Sequence, residues 1–196
     1  MPLKDFDIPA SSATDSNLRR VPPALWFPSI PAAQLVADQS LTDGVYWLTV
    51  EGSLTRALQL RCRQSFHVEI LWEGYARPTA EEARALNLPS RQHAWIREVN
   101  LCGDGEPWVM ARTVIPLATL KGAGRRLRHL GRQPLGAFLF RHRRWHRGAF
   151  QTGLTQSPTP DQPAIGRRSR FSKGSRALLV GEYFYPRLLQ QNDSKN

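Results

Sequence analysis

The chain has 196 residues, of which 27 are Lys or Arg and 16 are Asp or Glu, so its formal net charge is +11. This length suits one domain that buries its own core and leaves little room for two. The charge favours an anionic partner, which could be a small acid, a nucleic acid or a membrane surface, and does not choose among them.

Cysteine and histidine usage excludes some chemistries. Cys62 and Cys102 are too few and too far apart for a disulfide framework, and with the five scattered histidines they form no recognisable metal-ligand spacing. We therefore expect no metal site and a reducing compartment. No segment approaches the ~18 apolar residues of a membrane span, and residues 1–20 lack the apolar stretch of a signal peptide. The expectation is a cytoplasmic protein without a membrane span.

The first part of the chain is polar and punctuated by proline, so residues 1–23 are predicted to be a disordered or loosely attached tail. Structure is predicted to begin near Ala24, and the domain to extend over 24–190 before a polar C-terminal tail at 191–196. Short helices are expected between Ala32 and Gln64.

Two polar clusters are candidate caps for these helices. Thr42 and Asp43 precede a helical segment around 46–50, and Ser53 precedes another over 54–61. The alternating segment 65–75 then predicts a strand. One face of this strand is predicted to carry Phe66, Val68, Ile70 and Trp72.

A capping box and a hairpin follow. Thr79 with Glu82 is a capping-box pattern that opens a short helix ending near 88–89. Asp104-Gly105 then lies between two runs rich in β-branched and aromatic residues, which is a strong signal for a two-residue hairpin turn. With Asp104 and Gly105 as the turn residues, Gly103 pairs with Glu106.

Counting outward from this turn fixes a register. It sets Arg97 opposite Arg112, on one face with the apolar side chains of Trp95, Val99, Leu101, Trp108, Met110 and Val114. Two unpaired guanidinium groups on an apolar face are costly, so an anion should lie near them. That anion could be a bound ligand or an acidic side chain of another strand, or the face could be open to solvent.

A basic block follows the hairpin. No acidic residue occurs from Pro107 to Pro160, whereas this stretch contains many arginines. Short helices are predicted at 122–130 and 134–141, a strand at 145–153 and an exposed loop at 156–163. The side chains of Arg143 and Arg144 are expected to be solvated.

The chain ends in a second predicted hairpin, with strands at 165–171 and 176–185. Glu182 interrupts an apolar row in the last strand and is the only Glu after Glu106. It is either a site residue or simply the ion-pair partner of an arginine. Six strands with short helices between them predict a single-domain α+β fold with a mostly antiparallel sheet.

Several ordered blocks resemble one known family. Trp-Ile-Arg-Glu-Val, Leu-Cys-Gly-Asp-Gly-Glu-Pro-Trp and Ala-Arg-Thr-Val-Ile-Pro in the hairpin look like the central hairpin of chorismate lyase. Gln-Pro-Leu-Gly-Ala-Phe-Leu-Phe, Gly-Arg-Arg-Ser-Arg and Leu-Leu-Val-Gly-Glu-Tyr-Phe-Tyr-Pro resemble later blocks in the same order. The resemblance implies an antiparallel sheet with helical flaps over an internal ligand site.

The resemblance also implies an activity. Enzymes of this family remove pyruvate from chorismate to give 4-hydroxybenzoate, the ring precursor of ubiquinone, without a metal or organic cofactor. Arg97 falls on a ligand-binding arginine, Glu182 on the glutamate near the ring hydroxyl, and Leu135 on a residue whose backbone contacts the ligand. Leu54 falls on a fourth binding position, where Met is common in the family. Together with Arg112, these are the expected site residues, and we expect the enzyme to be a monomer.

Two alternatives belong to other functional classes. Effector-binding domains of some bacterial transcription regulators share the fold, although they normally carry a winged-helix domain that the ~23 residues before Ala24 are too few to form. A nucleic-acid binder could use the basic block at 125–147, in which His and Trp are interleaved with arginine. No nucleic-acid-binding motif is present, so the lyase is the preferred interpretation.

Overall fold

A computed structural model describes residues 20–37, 41–89, 91–141, 145–157 and 159–190, except the side chains of residues 123 and 141. The predicted tails at 1–19 and 191–196, and Arg143 and Arg144, lie outside the described residues. The end of the predicted N-terminal tail is described. There Val21 is buried, and the backbone N–H of Arg20 donates to Glu98 Oε2 at 2.9 Å.

Strands dominate the described parts of the chain. They are β1 (Ala24–Phe27), β2 (Phe66–Ala76), β3 (Ala94–Gly103), β4 (Glu106–Pro116), β5 (His146–Arg147), β6 (Gln151–Thr155), β7 (Ile165–Lys173) and β8 (Arg176–Phe184). The α-helices are α1 (Ile30–Gln34), α2 (Val45–Thr49), α3 (Leu54–Arg61), α4 (Ala80–Leu86), α5 (Leu135–Arg141) and α6 (Pro186–Gln190). Two 3-10 helices are formed by Thr42–Gly44 and Gly122–His129.

All strands belong to one antiparallel sheet in the order β1-β6-β7-β8-β4-β3-β2, with β5 also paired to β7. The α+β class and the antiparallel sheet are therefore confirmed, but the described residues form eight strands where six were predicted. One added strand is β1, whose four residues are too short to show alternation and pair with β6 at the sheet edge. The other arises because the predicted strand at 145–153 is interrupted at 148–150.

The central hairpin has the predicted turn but not the predicted register. Asp104 and Gly105 have φ angles of 53° and 84°, as a primed turn requires, and Gly103 pairs with Glu106. Beyond the turn, however, Cys102 pairs with Pro107 and Leu101 pairs with Val109.

Trp108 is therefore the extra residue of a β-bulge, which shifts β4 by one position. Arg97 pairs with Thr113, and Arg112 pairs with Glu98. A shift of one residue exchanges the two faces of a strand, so the prediction that Arg97 and Arg112 share a face was wrong.

A second bulge changes β2. Ile70 pairs with Val99 but Trp72 pairs with Glu98, so Leu71 is the extra residue. Trp72 consequently packs on the opposite face from Phe66, Val68 and Ile70, which corrects the predicted alternation. The same bulge turns Glu73 toward the face that carries Arg97.

The predicted helix caps are largely present. The Ser53 side chain accepts the Arg56 N–H at the start of α3, and Thr79 and Glu82 form the predicted capping box of α4. The predicted caps of α2 are an exception, because Gly44 holds the cap position without a side-chain hydrogen bond. Thr42 and Asp43 instead lie within the 3-10 helix.

One face of the sheet is covered by two groups of helices. The first apolar cluster packs α1, α2 and α3 on the sheet through residues such as Trp47, Leu58 and Val109. The second packs the 3-10 helix Gly122–His129 and α5 on β7 and β8. No helix in the described ranges has the length and apolar character needed to cross a membrane.

Candidate active site

An internal cavity of about 50 Å³ lies between the sheet and the helices, and the whole space between its lining atoms, with the open solvent at its mouth, is about 550 Å³. Its walls combine both apolar clusters, since Val68 and Leu101 belong to the first and Leu139 and Val180 to the second. Four predicted site residues line this cavity. They are Leu54, Arg97, Leu135 and Glu182.

The first turns of α3 and α5 cover the cavity. Ser53 caps α3 so that Leu54 and Thr55 face inward from its first turn, and Leu135 opens α5 after Pro134. The two starts nearly touch. A Cβ atom at Gly136 would lie 3.2 Å from Ser53 Oγ and from Thr55 Oγ1, so glycine allows α5 to approach α3 this closely.

Arg97 is almost wholly buried, with 3% of its surface exposed. Its guanidinium donates to Glu73 Oε2 at 3.4 Å and to the backbone carbonyl of Gln133 at 3.3 Å. Burial lowers the pKa of Arg97, and Glu73 offsets this only in part. Both contacts are long for a charged donor, so the guanidinium keeps donor capacity for an anion in the cavity.

Arg112 does not line the cavity. On the opposite face it donates to Glu82 Oε1 and Oε2 at 2.7 and 3.0 Å, and to Glu98 Oε1 at 2.7 Å. Burial alone would lower the pKa of Arg112, but the two carboxylates outweigh burial and raise it. The acidic side chains of other segments, and not a ligand, are the anions that compensate this arginine.

Glu182 fits both interpretations left open by the sequence. It faces the cavity from β8, and it is also the ion-pair partner of Arg167, whose Nε donates to Glu182 Oε2 at 2.7 Å. Arg167 is fully buried and donates through Nη1 to the Val50 carbonyl at 2.7 Å. One carboxylate oxygen is thus fixed from behind, while the group remains accessible from the cavity.

Arg147 is a cavity residue that the sequence interpretation missed. It enters from β5, and its guanidinium lies 4.8, 4.9 and 5.0 Å from the ring centres of Phe140, Phe150 and Phe171. In the sequence it is one arginine among many in the basic block. The pairing of β5 with β7 brings it to the cavity, and no local pattern signals that pairing.

The described part of the chain contains no group of three or more His, Cys, Asp or Glu side chains that could hold a metal ion. The polar groups that face the cavity are instead guanidinium, carboxylate and hydroxyl groups. This set suits an organic anion with a hydroxyl group better than a metal.

Several known proteins resemble this chain. A "Probable chorismate pyruvate-lyase" from Marinobacter nauticus is 55% identical over 190 residues, covering 97% of each chain. A "Chorismate pyruvate-lyase" from Cronobacter sakazakii is 38% identical over 149 residues, covering 76% of this chain and 82% of the relative. The PhnF effector domain from Mycobacterium smegmatis, at 15% identity, has a TM-score of 0.48 and covers 69% of this chain and 90% of that domain. The profile of the chorismate lyase family matches residues 24–194, and the chain belongs to that family.

Proposed function

We propose that this protein is a cofactor-independent chorismate pyruvate-lyase that converts chorismate into 4-hydroxybenzoate and pyruvate. The observation that carries the proposal is the convergence of Arg97, Glu182, Leu54 and Leu135 on one buried cavity. Family membership and the names of the relatives support it. The product is the aromatic ring from which ubiquinone synthesis starts, and we place the enzyme at that first step.

The chemistry is an elimination. The C3–O bond of chorismate breaks with its electron pair going to the enolpyruvyl oxygen, and the hydrogen on C4 leaves as a proton. The ring becomes aromatic, which supplies much of the driving force, and the released enolate takes up a proton on its methylene carbon to become pyruvate. Because the reaction involves no external oxidant or reductant, it needs no redox cofactor.

The residues divide this work. Arg97 anchors the ring carboxylate through charge-assisted hydrogen bonds, and the apolar side chains of Leu54 and Leu135 hold the ring in a reactive orientation. Glu182 sits beside the ring hydroxyl on C4, where a carboxylate can orient the ring or accept the departing proton. Arg167 fixes the orientation of Glu182 from behind.

The same proposal extends to the setting of the enzyme. Cys62 and Cys102 are free thiols, which agrees with a reducing compartment, and we propose a monomer that works in the cytoplasm.

One assay tests the function. Purified protein is incubated with chorismate, without metal or nucleotide, while 4-hydroxybenzoate and pyruvate are measured; we expect equimolar formation of both. Tight chorismate binding without product would identify a ligand sensor, and salt-sensitive nucleic-acid binding without turnover would identify the second alternative. Glu182→Gln should lower kcat by on the order of 10²- to 10⁴-fold, the range for a general acid or base, with a smaller change in KM.

A further inference from the structure

The strongest candidate outside the assigned residues is the guanidinium of Arg147. Its Nε atom is buried and has no hydrogen-bond partner among the described residues, and none of their carboxylates lies within ion-pair distance of it. Burial lowers the pKa of Arg147, and the charge of Arg167 adds to this effect while Glu182 and Glu51 oppose it. A half-buried cation whose Nε is buried without an acceptor has an unmet demand for a hydrogen-bonding anion.

The local charge balance leads to the same conclusion. Arg147 and Arg167 share the nearby Glu182, and Arg167 already holds that carboxylate at 2.7 Å. The two guanidinium groups therefore share one cavity carboxylate, since Glu51, the other carboxylate that acts on Arg147, is exposed to solvent. Arg112 lies in the opposite situation, because two buried carboxylates contact it directly.

A purely structural role for Arg147 is the competing explanation. Three phenylalanine rings surround its guanidinium, and each such contact stabilises a cation by roughly 0.5–2 kcal/mol. Stacking on ring faces, however, leaves the in-plane N–H donors of a guanidinium free, and those donors match the two oxygens of a carboxylate. The rings therefore hold the group in place without occupying its donors.

We infer that Arg147 receives the enolpyruvyl carboxylate of chorismate, the second carboxylate of the dianion, while Arg97 receives the ring carboxylate. The inference rests on the proposed function, from which it takes the substrate. Arg112, the second arginine expected from the sequence, faces away from the cavity and is replaced in this role by Arg147.

The order of the strands assigns each carboxylate to its arginine. Arg97 lies on β3 and Arg147 on β5, and Glu182 on β8 lies between them in the sheet. Glu182 is placed beside the C4 hydroxyl, and the enolpyruvyl arm grows from the adjacent carbon, C3, so this arm points to the Arg147 side. The ring carboxylate lies across the ring from C4 and so points toward Arg97.

The position of Arg147 also bears on the chemical step. As the C3–O bond breaks, negative charge develops on the enolpyruvyl oxygen, one carbon away from the carboxylate that Arg147 holds. A fixed positive charge in a buried site stabilises that developing charge without reorganising. Arg147 would thus both bind the arm and assist its departure.

The test compares a ligand that carries the enolpyruvyl arm with one that lacks it. Chorismate has two carboxylates and 4-hydroxybenzoate has one, so only chorismate should depend on Arg147. For Arg147→Gln we expect kcat/KM for chorismate to fall roughly 10- to 100-fold, as for one lost charge-assisted hydrogen-bonded pair. The Kd of 4-hydroxybenzoate, measured by calorimetry, should change less than about threefold, since no contact to it is removed.

Three further variants complete the design. Arg125→Gln makes the same substitution at an exposed arginine of the basic block and, when all variants are compared at high salt so that long-range attraction is screened, should leave both ligands unaffected. Arg97→Gln should weaken both ligands. Arg147→Lys keeps the charge without the two-pronged donor geometry, so it should recover part of the lost kcat/KM; if Arg147→Gln fails to fold, this variant carries the comparison.

Equal weakening of both ligands by the Arg147 variants, or an unchanged kcat/KM for chorismate, would overturn the inference. These outcomes differ from a failure of the proposed function, in which the unsubstituted protein itself makes no 4-hydroxybenzoate. In that case the ratio of the two binding constants, measured for the unsubstituted protein and for Arg147→Gln, still decides whether Arg147 binds the enolpyruvyl arm.

Discussion

Arg97 and Arg112 belong to the same hairpin and are both buried, yet their surroundings give them different roles. Arg112 is held by Glu82 and Glu98, with exposed side-chain fractions of 5% and 0%. Arg97 has one acidic contact, Glu73, whose side chain is 29% exposed and can be hydrated if the arginine is lost. An ion pair with a buried partner is far more sensitive to truncation than one with a hydrated partner.

This contrast predicts opposite effects for the same substitution. Arg112→Ala should lower the free energy of unfolding by about 3–5 kcal/mol, because it leaves two buried carboxylates uncompensated. Arg97→Ala should leave stability nearly unchanged and weaken 4-hydroxybenzoate binding by about 1.5–3 kcal/mol, the value of a charge-assisted hydrogen bond. Urea unfolding without ligand and calorimetry measure the two quantities. The assignment of Arg97 to the site fails if its variant is destabilised as much as that of Arg112 while the ligand still binds.

At the scale of elements, the β-bulges separate what could be predicted from what could not. The turn at Asp104-Gly105, the caps at Ser53 and Thr79 and the final hairpin follow from local residue chemistry, and the structure confirms them. The faces of β2 and β4 depend on bulges at Leu71 and Trp108. Neither residue is a turn former, so alternation alone could not locate the shift.

The candidate site likewise contains residues that could be predicted from the sequence and one that could not. The family resemblance identifies Leu54, Arg97, Leu135 and Glu182 as positions on one cavity. It could not separate Arg147 from the other arginines of the basic block, because the position of Arg147 at the cavity depends on a two-residue strand and on the ring of Phe171, which is distant in sequence.

The bulge in β4 has a packing cause that can be tested. The Trp108 ring lies over Gly103, where an added Cβ atom would approach the ring to 2.4 Å. The Trp108 carbonyl accepts the Tyr185 N–H at 3.0 Å, so the bulged residue still satisfies its backbone. Glycine at 103 thus makes room for the buried ring that fixes the register.

Gly103→Ala should therefore destabilise the protein by about 1–3 kcal/mol, the usual cost of overpacking. Because the hairpin sets the face on which Arg97 lies, we also expect weaker ligand binding. Gly174→Ala is an informative comparison, since its left-handed φ of 58° is strained but an added Cβ there meets no atom. Loss of stability in both variants with loss of binding only in Gly103→Ala would support the packing argument. Unchanged stability and binding in Gly103→Ala would contradict it.

At the scale of the whole molecule, the chain carries a formal charge of +11, and the proposed substrate is a dianion. The arginines of the 3-10 helix Gly122–His129 do not line the cavity, and Arg125 and Arg126 are exposed. Their charges can attract the substrate during its approach but cannot contact it after it has bound. The effect of such charges is confined to roughly the Debye length, about 8 Å at physiological salt.

Charge reversal by Arg125→Glu with Arg126→Glu should consequently lower kcat/KM for chorismate by several-fold at low salt and leave kcat nearly unchanged. The difference from the unsubstituted protein should shrink as salt rises, because screening removes long-range attraction and not the chemistry inside the cavity. Initial rates over a range of chorismate and salt concentrations measure both constants. Arg147→Gln, by contrast, should keep its deficit at high salt, because its contact is buried. A loss of kcat in the Arg125 and Arg126 variant that persists at every salt concentration would show that the 3-10 helix takes part in the chemical step.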